Sequence, residues 1–215
     1  MPKEMNVDLD NIAINDIQYN LTDIEALAWK LLVRGAAKPK DGFHTLTLAT
    51  GNDNGLPTLR TVVLRKANEI NKTLFFHTDT RSRKFADLLK RPQAAVLLYD
   101  AHRRIQLNLT MTVVLHTTDE LADACWAATN AKSRRSYMSL DSPNAISQKP
   151  TSGYAECFEY EEPTAEESHI FRENFAVVEC QAQHLEFLFL NFKGNRKAGF
   201  EYENGVCCLK NWLVP

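Results

Sequence analysis

Glycine and proline are scarce in this chain, eight of each among 215 residues. That excludes a collagenous or low-complexity protein, and 44% hydrophobic residues allow a buried core. Neither charge sign is in excess: 25 Lys and Arg stand against 27 Asp and Glu, a net charge of −2. Such a balance gives no support to bulk attachment to nucleic acid or to an anionic membrane. Long apolar runs are missing, so no segment is expected to span a bilayer, and the opening MPKEMNVDLDNI has no apolar signal core. Five cysteines without C-x-x-C spacing exclude a paired disulfide framework and fit reduced thiols in a cytoplasm. The vicinal Cys207 and Cys208 read either as a redox pair or as small hydrophobes on opposite faces of a strand. The six histidines show neither H-x-x-x-H nor H-E-x-x-H, so no metal site is expected. There is no G-x-G-x-x-G, no P-loop and no repeating strand–helix–strand rhythm.

What is present centres on Thr73 to Arg91. Leu74, Phe75 and Phe76 predict a short buried strand. Thr78, Thr80 and Ser82 follow at every second position, among Arg81, Arg83 and Lys84. Phe85, Leu88 and Leu89 then recur at helical spacing before Pro92. A strand therefore runs into a helix across a junction rich in hydroxyls and cations. Free N–H groups and the dipole at a helix start suit a phosphate, and arginine grips two of its oxygens at once. A capped helix with a solvated basic face satisfies the same pattern.

Upstream, residues 1–20 read as a loose acidic arm. Thr22 and Glu25 predict a capping box for a helix with Ile24, Leu27, Ala28, Leu31 and Leu32 on one face, ended by Gly35. From Phe43 the period becomes that of a strand, with a turn at Asn52-Asp53-Asn54-Gly55 and a partner strand from Thr58 to Arg65. Arg60 shares a strand face with Val62 and Leu64. Burying it unpaired costs several kcal/mol, so it either meets an anion or snorkels to water from an edge strand.

Downstream, 94–99 and 105–115 predict two more strands, joined by a basic turn at Arg103-Arg104. Gln106, Asn108, Thr110 and Thr112 give the second an unusually polar face, which meets water or a polar ligand. Thr117 and Glu120 predict another helix cap, and 132–152 reads as an exposed loop or lid. A short strand at 153–160, a helix from Pro163 and Thr164, two apolar strands at 177–180 and 185–190, and a hairpin about Asn204-Gly205 complete the chain. The carboxyl-terminal Trp212-Leu213-Val214-Pro215 is expected to dock. About eight strands and four helices, with hairpin-joined strands and no break in composition, predict one domain over 1–215: a mainly β, antiparallel barrel with helices at its ends.

Three spaced motifs make the stretch from Phe43 to about Leu115 resemble pyridoxamine 5′-phosphate oxidase and its flavin-binding split-barrel relatives. They are Gly55-Leu56-Pro57 followed by Arg60-Thr61-Val62-Val63-Leu64-Arg65; the aromatic strand with Phe76 and Thr78 running into Ser82-Arg83-Lys84; and Gln106 on the next long strand. The ending Asn211 to Pro215 is a weaker fourth match. The resemblance implies a six-stranded antiparallel split β-barrel with flanking helices, binding FMN at a homodimer interface. It implies that Arg83 and Lys84 grip the FMN phosphate with Ser82 at the helix start and Arg60 nearby. His77 and Thr78 would contact phosphate and ribityl, and Thr61, Val62, Val63 and Leu64 would lie along the ring. Arg65, which stands where the family usually has lysine, would join these cofactor contacts, and Gln106 would reach the ring from the other subunit. Trp126, Asn130 and Arg134 occupy the spacing of the family's Tyr, Arg and Ser for the substrate phosphate. Arg134, Arg196 and Lys197 are therefore the candidates for substrate anion contacts. The implied activity is an FMN-dependent oxidoreductase acting on a small molecule, without a named side-chain acid or base. The alternatives are a flavin or haem carrier on the same fold, with His77, His102 or His184 as axial ligand, and a nucleic-acid binder using Arg81 to Arg91, Arg103 and Arg104.

Overall fold

The computed structural model describes residues 11–155 and 157–215. In chain order the elements are β1 (Ile12–Ile14), β2 (Ile17–Tyr19), α1 (Leu21–Ala37), β3 (Thr45–Gly51), β4 (Pro57–Val63), β5 (Lys66–Asn68), β6 (Thr73–Asp79), α2 (Arg83–Lys90), β7 (Gln93–Asp100) and β8 (Ile105–His116). There follow α3 (Glu120–Ala128), α4 (Ala131–Arg134), α5 (Cys157–Tyr160), α6 (Ala165–His169), β9 (Phe175–Phe189), β10 (Arg196–Glu203) and β11 (Val206–Leu213). No helix among the described residues is long and apolar enough to cross a membrane.

The main sheet runs β11-β10-β9-β8-β7-β3-β4, every pairing antiparallel. β9 makes the fold curl. Its first half pairs with β6, its second half with β10, and its other edge carries β8 along the whole length. The strands β4-β3-β7-β8-β9-β6 bend until the end of β4 returns beside β6. There the Arg65 N–H donates to the Phe75 carbonyl of β6 (2.8 Å), while the preceding Leu64 N–H still continues the ladder with β3 through the His44 carbonyl (2.9 Å). The result is the antiparallel split barrel with flanking helices that the motifs imply. Leu46, Leu48, Phe76, Leu98, Leu107 and Phe187 fill its interior, each contributing about 1.5–3 kcal/mol by leaving water. A second cluster, Phe75, Ala122, Trp126, Tyr137, Phe175 and Val177, packs α3 on the other face of β6.

Local chemistry moved several boundaries. The capping box of α1 is Asn20 with Asp23, not Thr22 with Glu25. Glu25 instead points inward to Lys72 (2.9 Å) and Lys210 (2.8 Å). Gly35 lies inside the helix, where a Cβ would sit 2.6 Å from the Phe43 carbonyl oxygen. It permits close packing of α1 and does not end the helix. Part of the expected acidic arm is the β1–β2 hairpin, with Ile12 and Ile14 buried, while residues 1–10 lie outside the described residues. The cap of α3 is Asp119, and 157–160 is a helical turn, not strand. The two apolar runs at 177–180 and 185–190 are one 15-residue strand, because both halves of β9 are buried by different neighbours.

Candidate functional site

β6 is buried along nearly its whole length and delivers the chain into a tight turn before α2. Thr78 and Ser82 come together there. Ser82 Oγ donates to the Asp79 carbonyl (2.6 Å) and lies 3.2 Å from Thr78 Oγ1. Its proton is thus committed to bracing the turn, and the first turn of α2 has no side-chain cap. Arg81 is also occupied. It clamps Asp79 through both carboxylate oxygens and reaches the Ser139 carbonyl (2.9 Å), tying the loop after Tyr137 to the end of β6.

Arg60 approaches the same corner from β4. It donates to Thr50 Oγ1 (2.7 Å) and Thr58 Oγ1 (2.8 Å), and Asp87 of α2 lies 3.8 Å away. Asp87 thus meets the need of Arg60 for an anion only in part, and burial still holds the guanidinium below its ordinary pKa. Neither Thr50 nor Asp87 stood out in sequence, since each matters only once β3, β4 and α2 meet. Arg83 is exposed and Lys84 half-buried, and neither has a carboxylate within 4.0 Å among the described residues. Burial pushes the Lys84 ammonium down and Arg60 pushes it further, against a weaker pull from Asp79. A cation in that state gains from an added anion, and the uncapped N–H groups of α2 gain from the same one. Arg60, Arg83 and Lys84 thus fit a phosphate.

β4 is the outer strand of the sheet, so alternate backbone groups between Pro57 and Val63 point away from β3. Thr61 is exposed and Val63 half-buried, while Val62 and Leu64 turn into the core. A planar ring laid along 61–63 would meet backbone more than side chains.

His77 faces the opposite way from Thr78, as strand alternation requires. Together with Arg65, Lys66, Phe75, Asn130 and Ser133 it borders a cavity of about 330 Å³, closed on one side by Leu121, Cys125 and Ala128 of α3. The imidazole meets Phe175 edge-on, with ring centroids 4.8 Å apart. Burial, and secondarily the Arg65 charge, lower its pKa from 6.5 to about 4. Its Nδ1 is buried without a hydrogen-bond partner.

Arg134, expected at a substrate anion, does not line this cavity. Its guanidinium donates to the Trp126 carbonyl (2.8 and 3.2 Å) and stacks over the Trp126 ring at 4.7 Å. Arg196 donates to the Gly194 and Asn195 carbonyls in the turn before β10. Lys197 pairs with Glu186 (3.0 Å), which also accepts from Asn108 Nδ2 (3.3 Å). Strand register places Gln106 beside Tyr99 on one side and Leu188 on the other, with Lys197 next along the row. This patch lies on the outer face of the sheet. β7 and β3 separate β8 from β4, so one chain does not bring Gln106 to Arg60; three strand spacings are about 14 Å. Of the other two histidines considered as axial ligands, His102 is exposed and His184 Nδ1 is bonded to Glu201 (2.9 Å).

A family model described as "Pyridoxamine 5'-phosphate oxidase" matches residues 37–159. The pyridoxine/pyridoxamine 5′-phosphate oxidase of Paraburkholderia phymatum is 34% identical over 91 residues, 42% of this chain and 42% of that protein. Its counterpart in Burkholderia ambifaria is 35% identical over 77 residues, 36% of this chain and 35% of that protein. The alignments therefore span less than half the length of these relatives. Among solved structures, a pyridoxamine 5′-phosphate oxidase-related, FMN binding protein from Nostoc punctiforme gives a TM-score of 0.69 at 22% identity, covering 88% of this chain and 96% of that one. PhzG from Burkholderia lata, solved with tetrahydrophenazine-1-carboxylic acid, gives 0.66 at 16% identity, covering 88% and 91%. At such identities the two structures attest the shared fold.

Proposed function

The chain belongs to the pyridoxamine 5′-phosphate oxidase family, and on that premise we propose that it is an FMN-dependent oxidoreductase acting on a small molecule as a homodimer. The observation that carries this reading is the corner at the start of α2. There a half-buried, carboxylate-free Lys84 and an exposed Arg83 adjoin Arg60 and uncapped helix N–H groups. Arg83, Lys84 and Arg60 would hold the FMN phosphate. Thr78 and Ser82 would hold the turn in shape, and backbone from Thr61 to Val63 would lie along the ring. When bound, FMN supplies the two-electron redox centre.

The chain's own residues bind and orient. Arg65, at the rim of the 330 Å³ cavity, takes the substrate-anion role expected of Arg134 and Arg196, both of which are occupied by main-chain carbonyls. Phe75, Leu121 and Ala128 exclude water from the substrate's other face. Gln106 serves the flavin of a second copy. Leu59, Leu97, Tyr99 and Val114 are exposed on the strands that lead to it, an apolar surface that dimerisation would cover. Five unbridged thiols suit a reducing compartment such as the cytoplasm.

The test is the absorption spectrum of the purified protein and of an Arg83→Ala/Lys84→Ala double variant. Flavin bands that bleach with dithionite are expected in the first. Removing two charge-assisted grips should weaken flavin binding by about 100-fold or more in the second. Undiminished occupancy in the double variant, or a Soret band in place of flavin, would reject the reading.

A further inference from the structure

His77 reaches a different place from the one its neighbour Thr78 occupies. Thr78 turns to Ser82 and the phosphate corner, whereas His77 turns to α3 and the cavity. Two features make it more than a wall. Its Nδ1 is enclosed and unpartnered, and Nε2, which has no hydrogen bond either, is the ring nitrogen left to face open space. Burying an unmatched N–H costs about 1–3 kcal/mol, so the ring proton belongs on Nε2, where something can accept it. The void that the ring borders is this cavity, rimmed by the Arg65 and Lys66 cations and carrying the amide of Asn130 and the hydroxyls of Thr129 and Ser133. Phe75, Leu121 and Ala128 give it an apolar wall suited to a flat ring. Its 330 Å³ lies at the small end of ligand pockets.

We propose that His77 is a specificity-determining residue whose neutral Nε2–H donates to an oxygen of a small ring-bearing anion seated in the cavity, with Arg65 and Lys66 meeting the charge. The assignment rests on the oxidoreductase reading, in which a substrate enters here, and it moves His77 from the flavin phosphate to the substrate. A neutral donor beside two cations recognises an acceptor without adding a third charge. A carboxylate or a phosphate on a ring supplies such an acceptor, and the two are distinguished by probe.

The experiment uses the flavin-loaded protein titrated calorimetrically with benzoate and with pyridoxamine 5′-phosphate, alongside His77→Phe and His77→Gln. The wild type binds at least one probe. His77→Phe, which keeps an aromatic ring and loses the donor, weakens that probe about tenfold. His77→Gln, which restores an N–H at similar reach, recovers most of the loss, and flavin occupancy is the same in all three. Nitrogen-15 spectra of the imidazole show the Nε2–H tautomer at pH 7. Unchanged affinity in His77→Phe, no recovery in His77→Gln, or a proton on Nδ1 would overturn the donor role. A drop in flavin occupancy in His77→Phe would return His77 to the flavin. Binding of neither probe would overturn the ligand class, and flavin content, read separately, shows whether the oxidoreductase reading fails with it.

Discussion

Lowering the pH from 7 to 5 should destabilise the wild-type protein relative to His77→Phe by about 2 kcal/mol. The folded imidazole titrates at about 4, pushed down by burial and by Arg65, whereas in the unfolded chain it titrates near its ordinary 6.5. Between those values the unfolded chain takes up a proton that the folded one refuses. A depressed histidine therefore leaves stability untouched at pH 7 and above, and stability declines as pH falls through 6.5 toward 4. Integrating proton uptake over that window gives roughly 2 kcal/mol at pH 5 and a limit of roughly 3 kcal/mol below pH 4. Urea unfolding of both proteins at each pH isolates the histidine, because every other titrating group cancels in the difference. A gap that stays constant between pH 7 and pH 5 would refute the argument. It would mean that the ring is protonated in the fold, or that water reaches Nδ1.

Glu25 sits between Lys72 and Lys210, and Lys72 lies over the Trp29 ring at 5.3 Å. Burial pushes its carboxyl up, but hydrogen bonds from Lys210 and Lys72 outweigh that and hold it below the usual range. Glu25→Ala leaves two partly buried ammonium groups facing one another and should cost about 2–3 kcal/mol, visible as a lowered thermal midpoint. The Glu25 contribution is present above the ordinary carboxylate pKa and disappears as pH falls through the depressed one, so the variant's deficit should shrink in acid. Leu97→Glu places a charge at the centre of the exposed face between Thr47 and Asn108. Light scattering should then report a monomer with reduced flavin content, and an unchanged dimer would move the interface elsewhere.

Local rules carried the reading wherever a function is confined to adjacent residues. The Asn52–Gly55 turn, the Thr164 cap and the two strands after α2, the second with a polar face, were legible because hydrogen bonding and alternation act over a few residues. The strand-to-helix junction from Phe76 to Lys84 was legible for the same reason, as its cations and hydroxyls follow one another along the chain. Cap positions slipped where several Asn, Asp and Thr competed within one turn, as at Asn20 and Asp119.

The division between site and scaffold belonged to the tertiary structure. Sequence alone marks Arg60, Arg81 and Arg134 equally as cations in want of an anion. Packing against Asp87 partly satisfied the first, Asp79 took the second, and the Trp126 carbonyl and ring took the third. Lys84 kept its charge unmatched, and no local pattern separates it from its neighbours. The cavity brings residues 65–77 against residues 121–133, and that meeting depends on β6 pairing with a strand a hundred residues later in the chain. Composition and periodicity set the strands, the turns and the cation-rich strand-to-helix corner, because those energies are local. Which cations were left free, and which way His77 faced, depended on contacts between distant segments, and only the closed barrel makes them.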